Sequence, residues 1–201
     1  MEENIIKALL KDKDFMKPMD FALNKHRNQK RIEGSPYIFH PVRTYYTLSK
    51  IFPNTNLTAY TILSSSLLHD TIEDTNTTKE EIEELFGKTC KDIILELTNP
   101  KGLKRAQKGP YLAKQMPKMS NEALCIKLAD RLDNITDLNL LSIEKRNRYL
   151  HETQYILYKL ENTDRKLTQE QNHLLSSLHS TIDSYTPAIY LFKDENKERD
   201  L

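Results

Sequence analysis

The chain has 201 residues, 38% hydrophobic and 29% charged, a composition typical of one globular domain with a buried core. A formal net charge of +1 excludes a strongly basic protein, so we predict no nucleic-acid partner, and no run approaches the ~20 apolar residues that cross a membrane. Cys90 and Cys125 are far apart and no signal-peptide pattern is present, so we expect free thiols and a cytoplasmic location.

The first quarter of the chain is predicted to form three helices. Apolar residues at helical spacing indicate a helix over residues 3–11. A second helix is expected over residues 17–29, with Pro18 in its first turn. Glycine and proline mark residues 31–39 as a loop, and a third helix follows over residues 41–52.

The next segment is predicted to contain a buried helix and then two shorter ones. Residues 58–74 are almost wholly apolar or small in their centre, which is typical of a helix buried on most sides. Thr78 and Glu81 have the spacing of a capping box, and Gly87 is expected to end that helix. Residues 89–98 then form another helix.

The second half of the chain is also predicted to be helical. Residues 99–119 are rich in lysine and hold prolines and glycines, so they are expected to be partly loop. Asn121 is the predicted cap of a helix that ends at Leu138, and residues 143–161 form a long helix. Thr168 and Gln171 form a second capping box before a final helix.

The predicted fold class is therefore an all-α bundle. No segment alternates apolar and polar residues over a useful length, and we find no repeat or linker. We predict that residues 1–192 form one domain and that residues 193–201, which are mostly charged, form a flexible tail. The sequence leaves the oligomeric state open.

The sharpest local signal is LLHDTIEDT, residues 67–75, where a histidine and three acids crowd the end of the apolar helix. At helical spacing, His69 shares a face with Glu73, and Asp70 shares a face with Asp74. Burying that much negative charge is costly unless a cation or hydrogen bonds offset it. This stretch is therefore a candidate site for a divalent metal.

Two other positions carry the same chemistry. Asp130 interrupts an apolar run with Asn134 four residues later, and His40 stands where a loop meets a helix. Each has a structural alternative, since a helix-end His or Asp can cap a helix and a core carboxylate can be salt-bridged. Two histidines and two aspartates together, however, suit manganese, iron or zinc better than calcium. We predict that His40, His69, Asp70 and Asp130 hold one divalent metal.

These motifs resemble the hydrolase domain of the RelA/SpoT family, within the HD phosphohydrolase superfamily. The similarity covers roughly residues 15–165, and the motifs appear in the family's order. A chain of this length has no room for synthetase or regulatory domains, so it resembles a stand-alone small alarmone hydrolase. The segments that carry the resemblance are KHRNQKRIEGSPYIFHPV, LLHDTIEDT, EEIEELFGKT, KLADRLDNITDL and EKRNRYLHET.

The resemblance implies an activity and the residues that perform it. The expected reaction removes the 3′-pyrophosphate of ppGpp or pppGpp, giving GDP or GTP and pyrophosphate, usually with Mn²⁺. The implied catalytic acids are Glu73 and Asp74, and the metal ligands are those named above. The implied substrate contacts, on a small-molecule nucleotide, are Arg31, Asn134, Arg148 and Glu152.

Tyr37 and Arg31 can also be judged from their chemistry alone. Tyr37 follows a loop glycine and could stack on a base, with simple loop packing as the alternative. Arg31 has the planar donors that suit phosphate, and we expect it to contact one. The chain departs from the family at two positions. Ile32 stands where many members carry lysine, and Asp133 stands where members often carry histidine or an aromatic residue. Both departures should weaken the attraction for a polyphosphate.

Three other functions remain compatible with the sequence. The first is an HD hydrolase acting on another substrate, such as a nucleoside monophosphate or a nucleotide with a 2′- or 3′-phosphate. The second is a non-catalytic module that senses nucleotides. The third is a nuclease, which the net charge of +1 disfavours.

Overall fold

The computed structural model describes residues 13–53 and 56–194, and side chains from Phe15 to Tyr185 within them. These residues form an all-α bundle without strands, with one isolated bridge between Lys30 and Pro36. The α-helices are α1 Lys13–His26, α2 Phe39–Ser49, α3 Leu57–Leu68, α4 Thr71–Asp74, α5 Lys79–Leu97, α6 Arg105–Gln115, α7 Asn121–Thr136, α8 Ile143–Glu161 and α9 Gln169–Asp194, with short 3₁₀ turns at Met116–Lys118 and Asp137–Leu140.

Some predictions concern residues outside this range. The predicted helix over residues 3–11 lies outside the described residues, as does most of the predicted tail, 193–201. The second helix begins earlier than predicted, at Lys13, so Pro18 lies inside it and not in its first turn. It ends at His26, where a turn closes with the Gln29 amide donating to the His26 carbonyl.

Helix α7 is the centre of the bundle. Its apolar side chains, such as Leu124, Ile126 and Leu128, are fully buried. Helices α2, α3, α5, α8 and α9 all pack against it. This burial explains why the polar side chains of α7 are held in fixed positions, since neighbouring helices leave them little freedom.

The predicted helix over residues 58–74 is interrupted. Helix α3 ends at Leu68 and α4 begins at Thr71, with His69 and Asp70 forming the joint between them. At this joint the His69 and Asp70 side chains approach each other, with His69 Nε2 3.0 Å from Asp70 Oδ2. The hydrophobic centre of α3 is buried, as predicted.

Helix termini mostly follow the sequence signals. Thr78 accepts from the Glu81 amide, and the Thr168–Gln171 capping box is present. Gly87 has a φ of 86° and separates the two halves of α5, as predicted. The predicted cap Asn121 is wrong, because Ser120 accepts from the Ala123 amide and Asn121 is the first helical residue.

Within the part of the chain that the structure describes, no helix combines the length and the apolar character that a membrane span requires.

Candidate functional site

The four predicted metal ligands converge from three parts of the chain. His40 lies in the first turn of α2, His69 and Asp70 form the α3–α4 joint, and Asp130 lies on α7. His40 Nε2 is 3.2 Å from Asp130 Oδ1 and 3.5 Å from Asp70 Oδ2. His69 Nε2 is 3.0 Å from Asp70 Oδ2 and 3.8 Å from Asp130 Oδ1. One ligand atom each from His40, His69 and Asp130 lies within 4.8 Å of the others, a spacing that could hold a metal ion.

His69 shows most directly that the cluster suits a cation. Its Nδ1 is 2.8 Å from the Ser66 carbonyl, an acceptor, so Nδ1 carries a hydrogen. Its Nε2 is buried without a hydrogen-bond partner and faces Asp70 Oδ2. A lone pair facing a carboxylate is repulsive unless a proton or a metal lies between them. Burial lowers the pKa of His69, but the Asp70 carboxylate outweighs it and raises the pKa.

His40 is held from behind by a third aspartate. Its Nδ1 is 2.6 Å from Asp133 Oδ2, and its side chain is 2% exposed. Burial alone lowers the pKa of His40, but hydrogen bonds to Asp130 and Asp133 outweigh it and raise the pKa to about 9. The Nε2 atom is thus left for the centre of the cluster.

Asp130 is oriented by two neighbours on its own helix. Lys127 Nζ is 3.0 Å from Asp130 Oδ2, and the Asn134 amide donates to Asp130 Oδ1 at 2.6 Å. Burial raises the pKa of Asp130, but the Lys127 ammonium and the histidines outweigh it and hold the pKa well below its usual range. The carboxylate is therefore charged, as a metal ligand must be.

Glu73 and Asp74 have different environments although they are adjacent. The Glu73 carboxylate accepts from the Asn99 amide at 2.8 Å and from Lys108 Nζ at 3.1 Å. Burial raises the pKa of Glu73, but these bonds outweigh it and lower the pKa. Burial, assisted by the charges of Asp70 and Glu73, raises the pKa of Asp74 to about 6, against weaker effects of Lys108 and Tyr37.

A cavity of about 280 Å³ opens beside the cluster. Acidic and basic side chains both line it, and several of them pair with one another. Mixed charge of this kind suits a ligand that carries phosphates, provided that a cation meets the acids. The lining residues are Tyr37, His40, Asp70, Glu73, Asn99, Arg105, Lys108, Leu112, Lys127, Asp130, Arg131, Asn134, Tyr149 and Glu152.

The basic residues of this cavity were not predicted from the sequence. Arg105 and Lys108 lie in residues 99–119, which were expected to be partly loop. The part of this segment that contains them forms α6. Lys127 and Arg131 flank Asp130 at helical spacing, and both are buried. Charged residues spaced four apart in an otherwise apolar helix were the signal that could have identified them.

The predicted substrate contacts have unequal positions. Asn134 and Glu152 line the cavity, whereas Arg31 pairs with Asp137 at 3.0 Å and does not line it. Arg148 is exposed and also lies outside the lining. The Tyr37 ring lines the cavity but packs against His26, with ring centroids 4.8 Å apart.

The Tyr37 hydroxyl has an unexpected role. It donates to Asp70 Oδ2 and lies 3.4 Å from Asp74 Oδ2. Burial, followed by the charge of Asp70, raises the pKa of Tyr37, so the hydroxyl keeps its proton and remains a donor. Tyr37 therefore links a predicted ligand to the predicted catalytic pair.

The two departures from the family lie away from the cavity. Asp133 is buried and paired with Arg43, with Arg43 Nε 2.6 Å from Asp133 Oδ1. Arg43 thus balances its charge, and the weaker attraction for a polyphosphate stays a prediction. Ile32 is 68% exposed and does not line the cavity.

Gly109 permits the close approach of α6 and α8. A Cβ there would lie 2.7 Å from Glu152 Cγ, and Glu152 is paired with Arg105 at 2.8 Å. We expect Gly109→Ala to lower the free energy of unfolding by about 1 kcal/mol at most, because Glu152 must move but is flexible and alanine is the better helix former. Urea denaturation measures this. The cost should shrink in a Glu152→Ala background, and equal costs in both backgrounds would contradict the steric explanation.

Comparisons with known proteins agree with this geometry. The profile of the HD-domain family matches residues 19–164. The human guanosine-3′,5′-bis(diphosphate) 3′-pyrophosphohydrolase MESH1 is 35% identical over 170 residues, covering 81% of this chain and 93% of the human protein. The GTP pyrophosphokinase rsh of Brucella melitensis is 39% identical over 139 residues, covering 66% of this chain and 18% of that protein.

A solved structure has the same fold. It is described as a metazoan ortholog of SpoT that hydrolyzes ppGpp and plays a role in starvation responses. It superposes with a TM-score of 0.69 at 29% identity, covering 82% of this chain and 95% of that one. The resemblance inferred from the motifs is confirmed, and this chain belongs to the HD-domain family.

Proposed function

We propose that this protein is a metal-dependent phosphohydrolase that removes the 3′-pyrophosphate of ppGpp or pppGpp, giving GDP or GTP and pyrophosphate. The observation that carries the proposal is the cluster of His40, His69, Asp70 and Asp130, three of which line a cavity with basic residues. The relatives named for ppGpp hydrolysis, MESH1 and the metazoan SpoT ortholog, support the choice of substrate. We propose action in the cytoplasm on a small nucleotide, without nucleic-acid or membrane partners.

The cluster is assigned to hold one divalent metal. Its nitrogen and oxygen ligands suit manganese, iron or zinc, and we propose Mn²⁺ because the resemblance to the RelA/SpoT family implies it. A bound metal of this kind activates water near neutral pH and polarises a phosphoryl oxygen. Arg105, Lys108 and Arg131 line the cavity where phosphoryl oxygens would lie, and their charges offset the charge that grows as the bond breaks.

The two acids then have separate roles. Asn99 and Lys108 hold the Glu73 carboxylate in place, and it stays ionised. We therefore assign Glu73 to orient the attacking water. Asp74 does not line the cavity beside the cluster but an adjoining one, which shares Glu73 and Lys108 with it. Its carboxylate has a single long contact with the Tyr37 hydroxyl and a pKa raised to about 6. We assign Asp74 as the general base that takes a proton from the attacking water, because a base works best with a pKa near the working pH.

Product analysis tests the substrate. Purified full-length protein is incubated with ppGpp and Mn²⁺, and products are separated by ion-exchange chromatography. GDP and pyrophosphate in equal amounts support the proposal. Intact ppGpp with turnover of another 2′- or 3′-phosphorylated nucleotide would change the substrate and keep the chemistry. Binding of guanine nucleotides without turnover of any would favour a sensing module.

Thermal unfolding tests the metal separately. Mn²⁺ at 100 times its Kd should stabilise the fold by about 2.7 kcal/mol, because the ligands are brought together only in the folded chain. For a domain of this size the Tm should rise by about 5–10 °C, and EDTA should reverse the rise. Ca²⁺ serves as the comparison, since it prefers oxygen ligands and should shift the Tm less. An unchanged Tm with Mn²⁺ would contradict the site.

A further inference from the structure

A partly buried ion pair lies behind His40, on the side of the ring opposite Nε2. Asp133 Oδ2 is 2.6 Å from His40 Nδ1, and its carboxylate also accepts from Arg43 Nε at 2.6 Å and from Arg43 Nη2 at 3.0 Å. The Asp133 side chain is 7% exposed. Neither Asp133 nor Arg43 lines the cavity, and the chemistry proposed above uses neither.

The geometry restricts how His40 can be protonated. A carboxylate oxygen accepts but does not donate, so the close contact requires a hydrogen on His40 Nδ1. In the neutral imidazole the lone pair is then on Nε2, the atom that faces Asp70 and Asp130. A carboxylate that holds the outer nitrogen of a ligating histidine fixes its tautomer and ring orientation and makes it a better ligand.

Arg43 makes this arrangement possible in the interior. A buried carboxylate without a partner is strongly unfavourable, and the Arg43 guanidinium binds both oxygens of Asp133. Its Nη2 also reaches Asp137 Oδ2 at 2.8 Å, so the guanidinium is held from two sides. The pair adds no net charge behind the histidine.

We propose that Asp133 is a positioning residue that orients His40 as a metal ligand, and that Arg43 neutralises the charge of Asp133. This inference rests on the proposed metal site. It predicts that the acceptor at position 133, more than the charge of the pair, determines how tightly the cluster binds a metal.

Two double variants isolate the acceptor. Arg43→Met with Asp133→Ala and Arg43→Met with Asp133→Asn both remove one positive and one negative charge, so the net charge is that of the wild type. They differ in that asparagine keeps an oxygen that can accept from His40 Nδ1. Free Mn²⁺ is quantified by electron paramagnetic resonance in titrations of metal-stripped full-length protein, and the Tm of each metal-free variant reports on folding.

The alanine double variant should bind Mn²⁺ about 10- to 100-fold more weakly than wild type, the usual effect of removing such a partner. The asparagine double variant should recover most of this loss, while the two metal-free variants should have similar Tm values. Equal Mn²⁺ affinity of the alanine double variant and the wild type would overturn the proposal, as would equal weakening in both double variants. Absence of Mn²⁺ binding by the wild type would instead refute the metal site itself.

Discussion

Replacing Asp70 with asparagine is expected to reduce Mn²⁺-dependent hydrolysis of ppGpp by about 10³-fold or more. Asp70 Oδ2 is the atom that both histidine Nε2 atoms face, at 3.0 and 3.5 Å, so its charge is central to holding the cation. Metal activation contributes several kcal/mol to the rate, and each 1.36 kcal/mol corresponds to a factor of ten. Initial rates of pyrophosphate release with excess Mn²⁺ measure the effect.

The same substitution at Asp92 is the matched control. Asp92 is an exposed carboxylate on α5 that pairs with Lys88 and Lys91 and does not line the cavity. Its replacement by asparagine removes the same charge as Asp70→Asn. Its asparagine variant should hydrolyse ppGpp at the wild-type rate. Two results would show that the cluster does not hold a metal needed for the reaction. One is a folded Asp70→Asn variant with wild-type activity, and the other is wild-type activity that resists EDTA.

The convergence of His40, His69, Asp70 and Asp130 was predictable from the sequence, because these residues occur in short motifs. His69 and Asp70 are adjacent at the end of an apolar helix, and Asp130 stands out as an acid in another apolar run. A charged residue in such surroundings needs a compensating partner whatever the rest of the fold is. The joint at His69 and Asp70, by contrast, was not visible, because both residues keep right-handed helical backbone angles and the apolar pattern runs through them.

The partners of the site could not be predicted, because tertiary packing determines them. His40 and Asp133 are 93 residues apart, and Glu73 and Asn99 are 26 apart. Asp133 looked like an unbalanced acid, since nothing in a linear sequence shows that Arg43 lies beside it. For the same reason the pairing of Arg31 with Asp137 was not expected, and its contact with phosphate stays a prediction.

Replacing Asp74 with asparagine should lower kcat by about 10²- to 10⁴-fold, the usual contribution of a general base. Glu73→Gln is the matched comparison, because Glu73 is already engaged by Asn99 and Lys108 and has a lowered pKa. We expect the wild-type rate to rise with pH through about 6, as Asp74 loses its proton, and then to level off. Rate–pH profiles of the wild type and both variants test the assignment.

The stability of the wild type should fall as the pH rises, whereas its rate should increase. The pKa of Asp74 is raised from 3.8 to about 6 by folding, so its contribution to stability is present below about pH 4 and is lost as the pH rises through about 6. An amide at this position stays neutral, so Asp74→Asn should have a higher Tm than the wild type above pH 6 and a similar Tm below pH 4. Lost activity with a higher Tm is typical of a residue kept for chemistry at a cost in stability.

If Asp74→Asn keeps its kcat and Glu73→Gln loses it, the base is Glu73 and the roles of the two acids are reversed.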